Sequence, residues 1–389
     1  MSDEFIPVAR PAIGAREEEL VLEVLRSRRL SLGPRLEAFE TALGERIGAA
    51  HVSAVSSGTA GLHLALRAVS VKAGDEVITT PFSFVASANS ILYEGARPVF
   101  CDIDRRTLNL NPDAAAAAVS ERTTGILPVH IFGYPADTPA FEYIARKRRL
   151  WLVEDACEAL GAVHSDGRPV GGRGNLAVFA FYPNKQITTG EGGAVICGDE
   201  DTKARIDSER NQGRAPDMDW LDHDRLGFNY RLSDVACALG IAQLERLDDL
   251  LAERARVAAA YSERLAGVEG LELPYPDSSG NSRSWFVYVV QLPDGVDRDA
   301  TIERMRAAGI ESKPYLPAIH LMSFYREHFG HREGEFPVCE EVSRRSLALP
   351  FYPELTESQV ERVTETLVGI IKSSAPGPKS TSSSVETPG

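Results

Sequence analysis

The sequence predicts an α/β protein that combines a large, mainly parallel sheet with a smaller α+β lobe. Between residues 54 and 197, short apolar runs alternate with segments of helical periodicity, a pattern typical of a parallel sheet covered by helices on both faces. A stretch rich in proline, glycine and serine, 267–284, then precedes the second lobe. Because ligands of such sheets gather at the carboxyl ends of the strands, residues that follow strands are the first functional candidates.

Composition and charge exclude several classes of protein. The chain has 389 residues, 43% hydrophobic content and a formal net charge of −14, which argues against nucleic acid or an anionic membrane as partner. No apolar run approaches the roughly 18 residues of a membrane span, and no signal peptide is recognisable. The five cysteines are widely spaced in or beside apolar runs, which indicates buried thiols in the reducing cytoplasm. No residues have metal-ligand spacing, so no metal is expected.

The chain is expected to divide into four segments. They are an N-terminal arm with helices (1–50), a large domain ending in long interlobe helices (51–266), a small C-terminal domain (267–372) and a disordered tail (373–389). Apolar residues at helical spacing predict the two helices of the arm. The tail is rich in serine and proline and has too little apolar surface to fold.

Each element of the two domains follows from its local pattern. Strands are expected at 76–79, 97–101, 125–129, 150–154, 176–181, 194–197 and 285–292. Helices are expected at 58–69, 84–94, 111–119, 138–147, 232–248, 250–266, 299–308 and 356–371. The charged segment 198–228 is predicted to be mainly loop.

A single lysine, Lys185, directly follows the apolar strand that ends near residue 181. Pro183 breaks the strand, and the glycines at 190 and 192 would let the backbone approach a ligand closely. A lysine in a turn is most often a plain surface residue. Two other motifs favour a functional role: a strand that ends in carboxylates at 154–158, and a loop of small residues at 56–61.

A lysine, a carboxylate and a helix start are the three parts that a pyridoxal phosphate (PLP) site needs. The helix beginning at Gly58, Thr59 and Ala60 offers free N–H groups to a phosphate, although these residues also fit ordinary N-capping. Asp155 would keep the pyridine nitrogen of PLP protonated, or would cap a following helix.

Lys185 is predicted to form the Schiff base with PLP and then to act as general acid and base. Phe84 follows a strand end and is predicted to stack on the cofactor ring, unless it is an ordinary core residue.

Taken in order, the motifs resemble the DegT/DnrJ/EryC1/StrS family of PLP-dependent sugar aminotransferases, over about residues 5–370. The stretches that carry the resemblance include Ser-Gly-Thr-Ala (57–60), Thr-Pro-Phe-Ser-Phe-Val-Ala (80–86), Glu-Asp-Ala-Cys-Glu (154–158), Phe-Tyr-Pro-Asn-Lys (181–185) and Gly-Phe-Asn-Tyr-Arg (227–231). The resemblance implies the type I PLP-aminotransferase fold. It also implies that an amino group passes from glutamate or glutamine to a nucleotide-linked keto sugar.

The resemblance further implies a homodimer with active sites at the subunit interface. Asn229 would reach the cofactor phosphate of the neighbouring subunit with Arg231 beside it, and His320 would lie near the sugar-nucleotide pocket. Two positions depart from the family pattern. Glu158 replaces a Gln or His near the phenolic oxygen of PLP, and Ala180 replaces a Ser that meets the phosphate.

Two other functions remain open at this point. A PLP-dependent sugar dehydratase would remove a hydroxyl without an amino donor, but relatives of that kind can carry histidine in place of the lysine, and Lys185 argues against it. A PLP-fold sensor or regulator would bind its ligand without turnover. The chain has no recognisable DNA-binding appendage, and its acidic charge disfavours one.

Overall fold

The structure is a computed structural model that describes residues 5–215, 222–277 and 280–374. The strands are β1 (His51–Val55), β2 (Glu76–Thr79), β3 (Arg97–Phe100), β4 (Thr123–Leu127), β5 (Trp151–Asp155), β6 (Leu176–Ala180), β7 (Gly193–Cys197), β8 (Tyr288–Gln291), β9 (Lys313–Pro314) and β10 (Ser346–Leu349). The helices are α1 (Ala15–Ser27), α2 (Pro34–Ile47), α3 (Gly58–Ala68), α4 (Ala86–Tyr93), α5 (Pro112–Ala117), α6 (Thr138–Arg148), α7 (Glu200–Arg210), α8 (Asp234–Glu245), α9 (Leu247–Leu265), α10 (Arg298–Ala307), α11 (Ser323–Phe329), α12 (Pro337–Arg345) and α13 (Glu357–Ser374).

The large domain is built on a seven-stranded sheet with the order β1-β7-β6-β5-β4-β2-β3. The strands from β6 to β3 are all parallel, whereas β7 runs antiparallel to both β6 and β1. The prediction of a mainly parallel sheet is therefore confirmed. The sequence does not predict β1 as a strand, because polar His51 and Ser53 interrupt its short apolar pattern.

The reversal of β7 decides where the functional residues meet. Since β7 opposes both of its neighbours, β1 and β6 point in the same direction, and β5 is parallel to β6. The carboxyl ends of these three strands therefore lie at one edge of the sheet. The segments that leave them carry the loop before α3, Asp155 and Lys185.

The small domain is organised around a three-stranded antiparallel sheet in the order β8-β10-β9. Its hydrophobic core also contains Val257, Tyr261 and Leu265 from the second half of α9. Ile6 of the arm belongs to the same core and pairs with Ile310. The core of this domain thus draws on residues before 267, and the arm packs partly against it.

The segment 198–228 contains a helix that the sequence does not predict. Helix α7 begins after Asp199, whose side chain accepts a hydrogen bond from the Thr202 N–H at 2.7 Å. The sequence of α7 has no apolar stripe from which a helix could be predicted. Ion pairs with α2 help to hold this helix in place. Arg210 pairs with Glu40 of α2 at 2.5 Å, and Lys203 lies 3.3 Å from the same carboxylate.

The C-terminal end of the small domain also differs from expectation. The sequence does not predict α11, α12 or β10. Helix α13 extends through Ser373 and Ser374, which were expected to belong to the disordered tail, and the rest of that tail, 375–389, lies outside the described residues. Within the described part of the chain, no helix combines the length and the apolar character needed to cross a membrane.

Candidate active site

A cavity of about 450 Å³ opens at the carboxyl edge of the large sheet. Segments that follow β1, β2, β5 and β6 form most of its wall, and two residues of the small domain, Tyr315 and Leu316, complete it. The predicted site residues that line it are Gly58, Thr59, Phe84, Asp155, Glu158 and Lys185. A larger cavity of about 580 Å³ lies elsewhere and contains none of the predicted site residues.

One end of the cavity is the N-terminus of α3. Ser57 caps this helix, and its hydroxyl accepts a hydrogen bond from the Ala60 N–H at 3.1 Å. The N–H groups of Gly58 and Thr59 make no hydrogen bond to another described residue, so they remain as donors for an anion. Ala60 does not line the cavity and its N–H already donates to Ser57, so its role as a cofactor ligand stays a prediction.

Gly58 is a close contact point between α3 and β6. A Cβ atom there would lie 2.7 Å from the Cβ of Ala180 and 3.0 Å from the Sγ of Cys157. Both distances are too short for ordinary packing. A glycine is therefore needed at the helix start, and Ala180 forms the wall directly beneath it.

Asp155 ends β5 with 4% of its surface exposed. Its Oδ2 accepts a hydrogen bond from the Ser87 hydroxyl at 2.7 Å, and its Oδ1 accepts one from the Cys157 N–H at 3.1 Å. No α-helix follows β5 before β6, so Asp155 closes a turn and does not cap a helix. Ser87 in turn shares a hydrogen bond with Ser83 at 2.8 Å. The carboxylate is thus held in one orientation at the cavity wall.

Lys185 is largely buried and its amine lies in the cavity wall. Its Nζ atom is 3.7 Å from Oε1 of Glu158 and 3.8 Å from the centre of the Phe286 ring. The main chain of the turn is also fixed, because the Lys185 N–H donates to the Tyr182 carbonyl at 2.9 Å. Its carbonyl accepts a hydrogen bond from Arg254 at 2.7 Å.

The glycines after Lys185 are needed for the conformation and packing of the main chain. Gly190 has φ +80°, a left-handed conformation that favours glycine. A Cβ at Gly193 would lie 2.6 Å from the Ser57 carbonyl and 2.8 Å from the Gly58 nitrogen. Gly193 therefore lets the start of β7 touch the start of α3. Of these glycines, only Gly192 lines the cavity.

Glu158 does not turn away from the cavity. Its Oε2 accepts a hydrogen bond from the Phe132 N–H at 2.8 Å, and its Oε1 faces Lys185. Burial raises the pKa of the Glu158 carboxyl, with Lys185 and the Phe132 N–H opposing that rise. The negative charge of Asp155 also raises the pKa of Glu158, and the nearby Lys185 amine opposes this effect.

Asn184 is a site residue that sequence reasoning did not single out. Its Oδ1 is buried in the cavity wall and has no hydrogen-bond partner among the described residues. Such an atom is costly unless a bound group supplies a donor. The only signal in the sequence was its place directly before Lys185. Two free N–H groups at a helix start and a buried lysine beside a carboxylate together fit PLP.

Phe84 lines the cavity just before α4, with 62% of its surface exposed. The alternative that it is a core residue is therefore wrong. Its exposure leaves one face of the cavity open in the single chain.

Besides Ala60, three predicted residues lie outside the cavity wall. Asn229 is exposed, and Arg231 donates hydrogen bonds to the side chains of Asn211 and Gln212 at 3.0 and 3.2 Å. Neither residue reaches the cavity of its own chain.

His320 is fully buried, hydrogen-bonded to Glu340 at 3.1 Å and packed on Phe336. In this chain the imidazole is enclosed within the small domain and does not line the cavity, so its role in substrate binding stays a prediction.

Known proteins resemble this chain over most of its length. The model of the DegT/DnrJ/EryC1/StrS aminotransferase family matches residues 11–368. GDP-perosamine synthase of Caulobacter vibrioides is 37% identical over 366 residues, which cover 93% of this chain and 97% of that protein. The spore coat polysaccharide biosynthesis protein SpsC of Bacillus subtilis is 35% identical over 383 residues, 95% of this chain and 98% of SpsC.

Solved structures of similar fold are also aminotransferases. The crystal structure of DesV from S. venezuelae superposes with a TM-score of 0.87 at 32% identity, and the match covers 94% of this chain and 95% of DesV. The chain therefore belongs to the DegT/DnrJ/EryC1/StrS aminotransferase family and is a PLP-dependent transaminase with the type I fold.

Proposed function

We propose that this enzyme moves the amino group of glutamate or glutamine to a keto sugar carried on a nucleotide. The observation that carries the proposal is the buried amine of Lys185, which faces a cavity bordered by Asp155 and the start of α3. The names of its relatives support a role in making amino sugars for polysaccharides or glycosylated metabolites.

Each side chain of the cavity has a distinct task in this reaction. PLP, when bound, accepts the electrons of the bond that breaks at the substrate carbon. Lys185 holds the cofactor covalently and afterwards moves a proton as general acid and base. Asp155, fixed by Ser87, keeps a proton on the pyridine nitrogen. Gly58 and Thr59 bind the phosphate through their N–H groups.

Two further residues border the cofactor ring in this proposal. Phe84 covers one face of the ring, and Glu158 lies near its phenolic oxygen. Because burial raises the pKa of Glu158, its carboxyl group is suited to hold a proton that it can share with that oxygen.

The working unit is proposed to be a homodimer with shared sites. Asn229 and Arg231 do not reach the cavity of their own chain, yet exposed apolar residues lie beside the cavity and on the same segment. Tyr182 is 52% exposed, and Leu226 is 70% exposed. A second subunit placed there would cover these side chains and bring its Asn229 to the phosphate.

Replacement of the lysine tests the proposal directly. Lys185→Ala is expected to lower the rate of amino-sugar formation by at least about 10²–10⁴-fold, because it removes both the covalent anchor and the proton carrier. The assay combines glutamate with nucleotide-linked keto sugars and follows product mass. Lys147→Ala, on the outer surface of α6, is the matched control. A full rate in Lys185→Ala, or a product that loses a hydroxyl without consuming the donor, would overturn the proposal.

A further inference from the structure

The turn that carries Lys185 contacts the segment of the small domain just before β8. The Gln186 side-chain amide donates to the Ser284 carbonyl at 2.8 Å and to the Glu158 carbonyl at 2.5 Å. The Lys185 amine lies 3.8 Å from the centre of the Phe286 ring. The segment that leads into β8 therefore contacts both the Lys185 amine and the side chain of the next residue, Gln186.

Arg254 completes this attachment from α9. One nitrogen, Nη2, donates to the Lys185 carbonyl at 2.7 Å, and the other, Nη1, donates to the Phe286 carbonyl at 3.1 Å. The residue is 2% exposed, and its guanidinium also lies 5.7 Å from the centre of the Phe351 ring. A single side chain thus bonds the lysine and the residue whose ring the lysine touches.

The charge of Arg254 is unusual for so buried a group. Among the residues that the structure describes, no carboxylate pairs with it, and its Nε has no hydrogen-bond partner. Burial lowers the pKa of Arg254 to about 10, so the group stays charged near neutral pH. Packing alone would be served at lower cost by an apolar side chain of similar volume. A flat guanidinium, however, can bond two carbonyls at once in a fixed geometry.

We propose that Arg254 is a positioning residue, which fixes the Lys185 carbonyl to that of Phe286 and so holds the lysine amine between Glu158 and the Phe286 ring. The inference rests on the proposed role of Lys185 and adds a device that couples the lysine to the small domain. Without the guanidinium fork, the turn could shift relative to β8. Misplacement of a reacting group by about 1 Å can cost about 10²-fold in rate.

The test compares two arginines on one helix. Arg256, also on α9, donates to the carbonyls of Pro353 and Leu355 at 3.2 and 3.1 Å, away from the cavity. Arg254→Gln is expected to lower kcat about 10²-fold, with KM for both substrates nearly unchanged. Arg254→Lys, which keeps the charge but has a single donor nitrogen in place of the planar guanidinium, should show a smaller loss. Arg256→Gln should leave kcat and KM as they are.

A readout independent of turnover separates positioning from general stability. Cofactor-free protein is mixed with PLP, the covalent adduct is trapped by reduction at set times, and its fraction is measured by mass. Arg254→Gln should form the adduct on Lys185 at least tenfold more slowly than the wild type, an effect of a displaced amine. Arg256→Gln should match the wild type in this rate even where its melting temperature falls.

Each result supports or overturns the positioning role. Rates of uptake and kcat within twofold of the wild type in Arg254→Gln would overturn the inference. If Arg254→Gln does not fold, Arg254→Lys decides by the same two measurements. Lys185→Ala separates the two hypotheses: full activity in that variant refutes the proposed function, whereas an inactive Lys185→Ala beside a normal Arg254→Gln refutes only the positioning role.

Discussion

Lys185 and Glu158 form an ion pair in a wall from which water is largely excluded. Their side chains are 13% and 6% exposed, and their charged atoms lie 3.7 Å apart. At this distance each charge offsets part of the desolvation cost of the other, but the carboxylate still prefers its proton more than it would in water. The carboxylate at position 158 is thus partly compensated by the amine of Lys185.

The pH dependence of stability should show this preference. Burial raises the pKa of Glu158 above its ordinary value of 4.5, so the folded protein binds this proton more tightly than the unfolded chain does. The wild type should therefore lose stability relative to Glu158→Gln as pH rises from about 4.5 through the folded-state pKa. Urea unfolding of the two cofactor-free proteins between about pH 4.5 and 8 measures the difference.

Glu121→Gln, which removes an exposed glutamate before β4, is the control for loss of a carboxylate. If the stability of the wild type relative to Glu158→Gln stays constant or increases with pH, the explanation given for Glu158 is wrong.

The end of the cavity that we propose to bind phosphate is formed where α3, β6 and β7 pack closely together. Gly58 lets α3 approach β6 at Ala180, and Gly193 lets β7 approach the Ser57 carbonyl. Only with both contacts do the free N–H groups of α3 and the strand that leads to Lys185 reach the same cavity. Gly58 and Gly193 thus contribute to the site by allowing α3, β6 and β7 to pack closely.

Gly58→Ala should weaken PLP binding. The added methyl would lie 2.7 Å from the Ala180 Cβ, and overpacking of this kind costs about 1–3 kcal/mol, or roughly 5- to 150-fold in affinity if α3 takes up the shift. Titration of the cofactor-free protein with PLP, followed by visible absorbance, gives the affinity.

Gly369→Ala is the matched control, because no atom would come within 4 Å of its Cβ. This exposed position in α13 should gain about 1 kcal/mol of stability without any change in affinity. An affinity of Gly58→Ala equal to that of the wild type would show that the contact with Ala180 does not shape the phosphate site.

At the scale of the whole molecule, the two domains share more chain than their sequence boundaries suggest. Helix α9 gives Tyr261 to the core of the small domain and Arg254 to the Lys185 turn of the large one. The arm contributes Ile6 to the small-domain core. The cavity lies where these parts meet, so its shape depends on the placement of one domain against the other.

The proposed dimer makes a prediction about mixed subunits. Lys185→Ala removes the lysine, and Asn229→Asp would place a carboxylate against the phosphate, so each variant alone should have little activity. A hybrid with one subunit of each kind would contain one intact site, built from Lys185 of one chain and Asn229 of the other. Co-expression with two different tags and tandem purification should give about half of the wild-type activity per dimer.

Hybrids that remain as inactive as their parents would show that Asn229 serves its own subunit, whereas an active Asn229→Asp parent would show that it serves no site. Hybrids of Lys185→Ala with itself, carrying the same two tags, control for effects of the purification.

Features whose cause is local could be predicted from the sequence alone. The apolar runs place β2 at residues 76–79 as predicted and the other parallel strands within a few residues. The strand-end position of Asp155 and the turn around Lys185 follow from the same short patterns. Because parallel strands point their carboxyl ends the same way, the sequence was also sufficient to predict that Asp155 and Lys185 lie at one edge of the sheet. The start of α3 reaches that edge through β1 and the reversed strand β7, neither of whose directions the sequence predicted.

How these residues are held depends on contacts between segments that are far apart in the chain. Ser87 binds Asp155 from 68 residues away, and Arg254 binds Lys185 from 69 residues away. His320 is a further example, because nothing in its own segment predicts that it is enclosed within the small domain. A local pattern records which face of an element is apolar, but hydrogen bonds between distant segments depend on how those faces pack. The surroundings of the lysine are therefore a property of the tertiary structure.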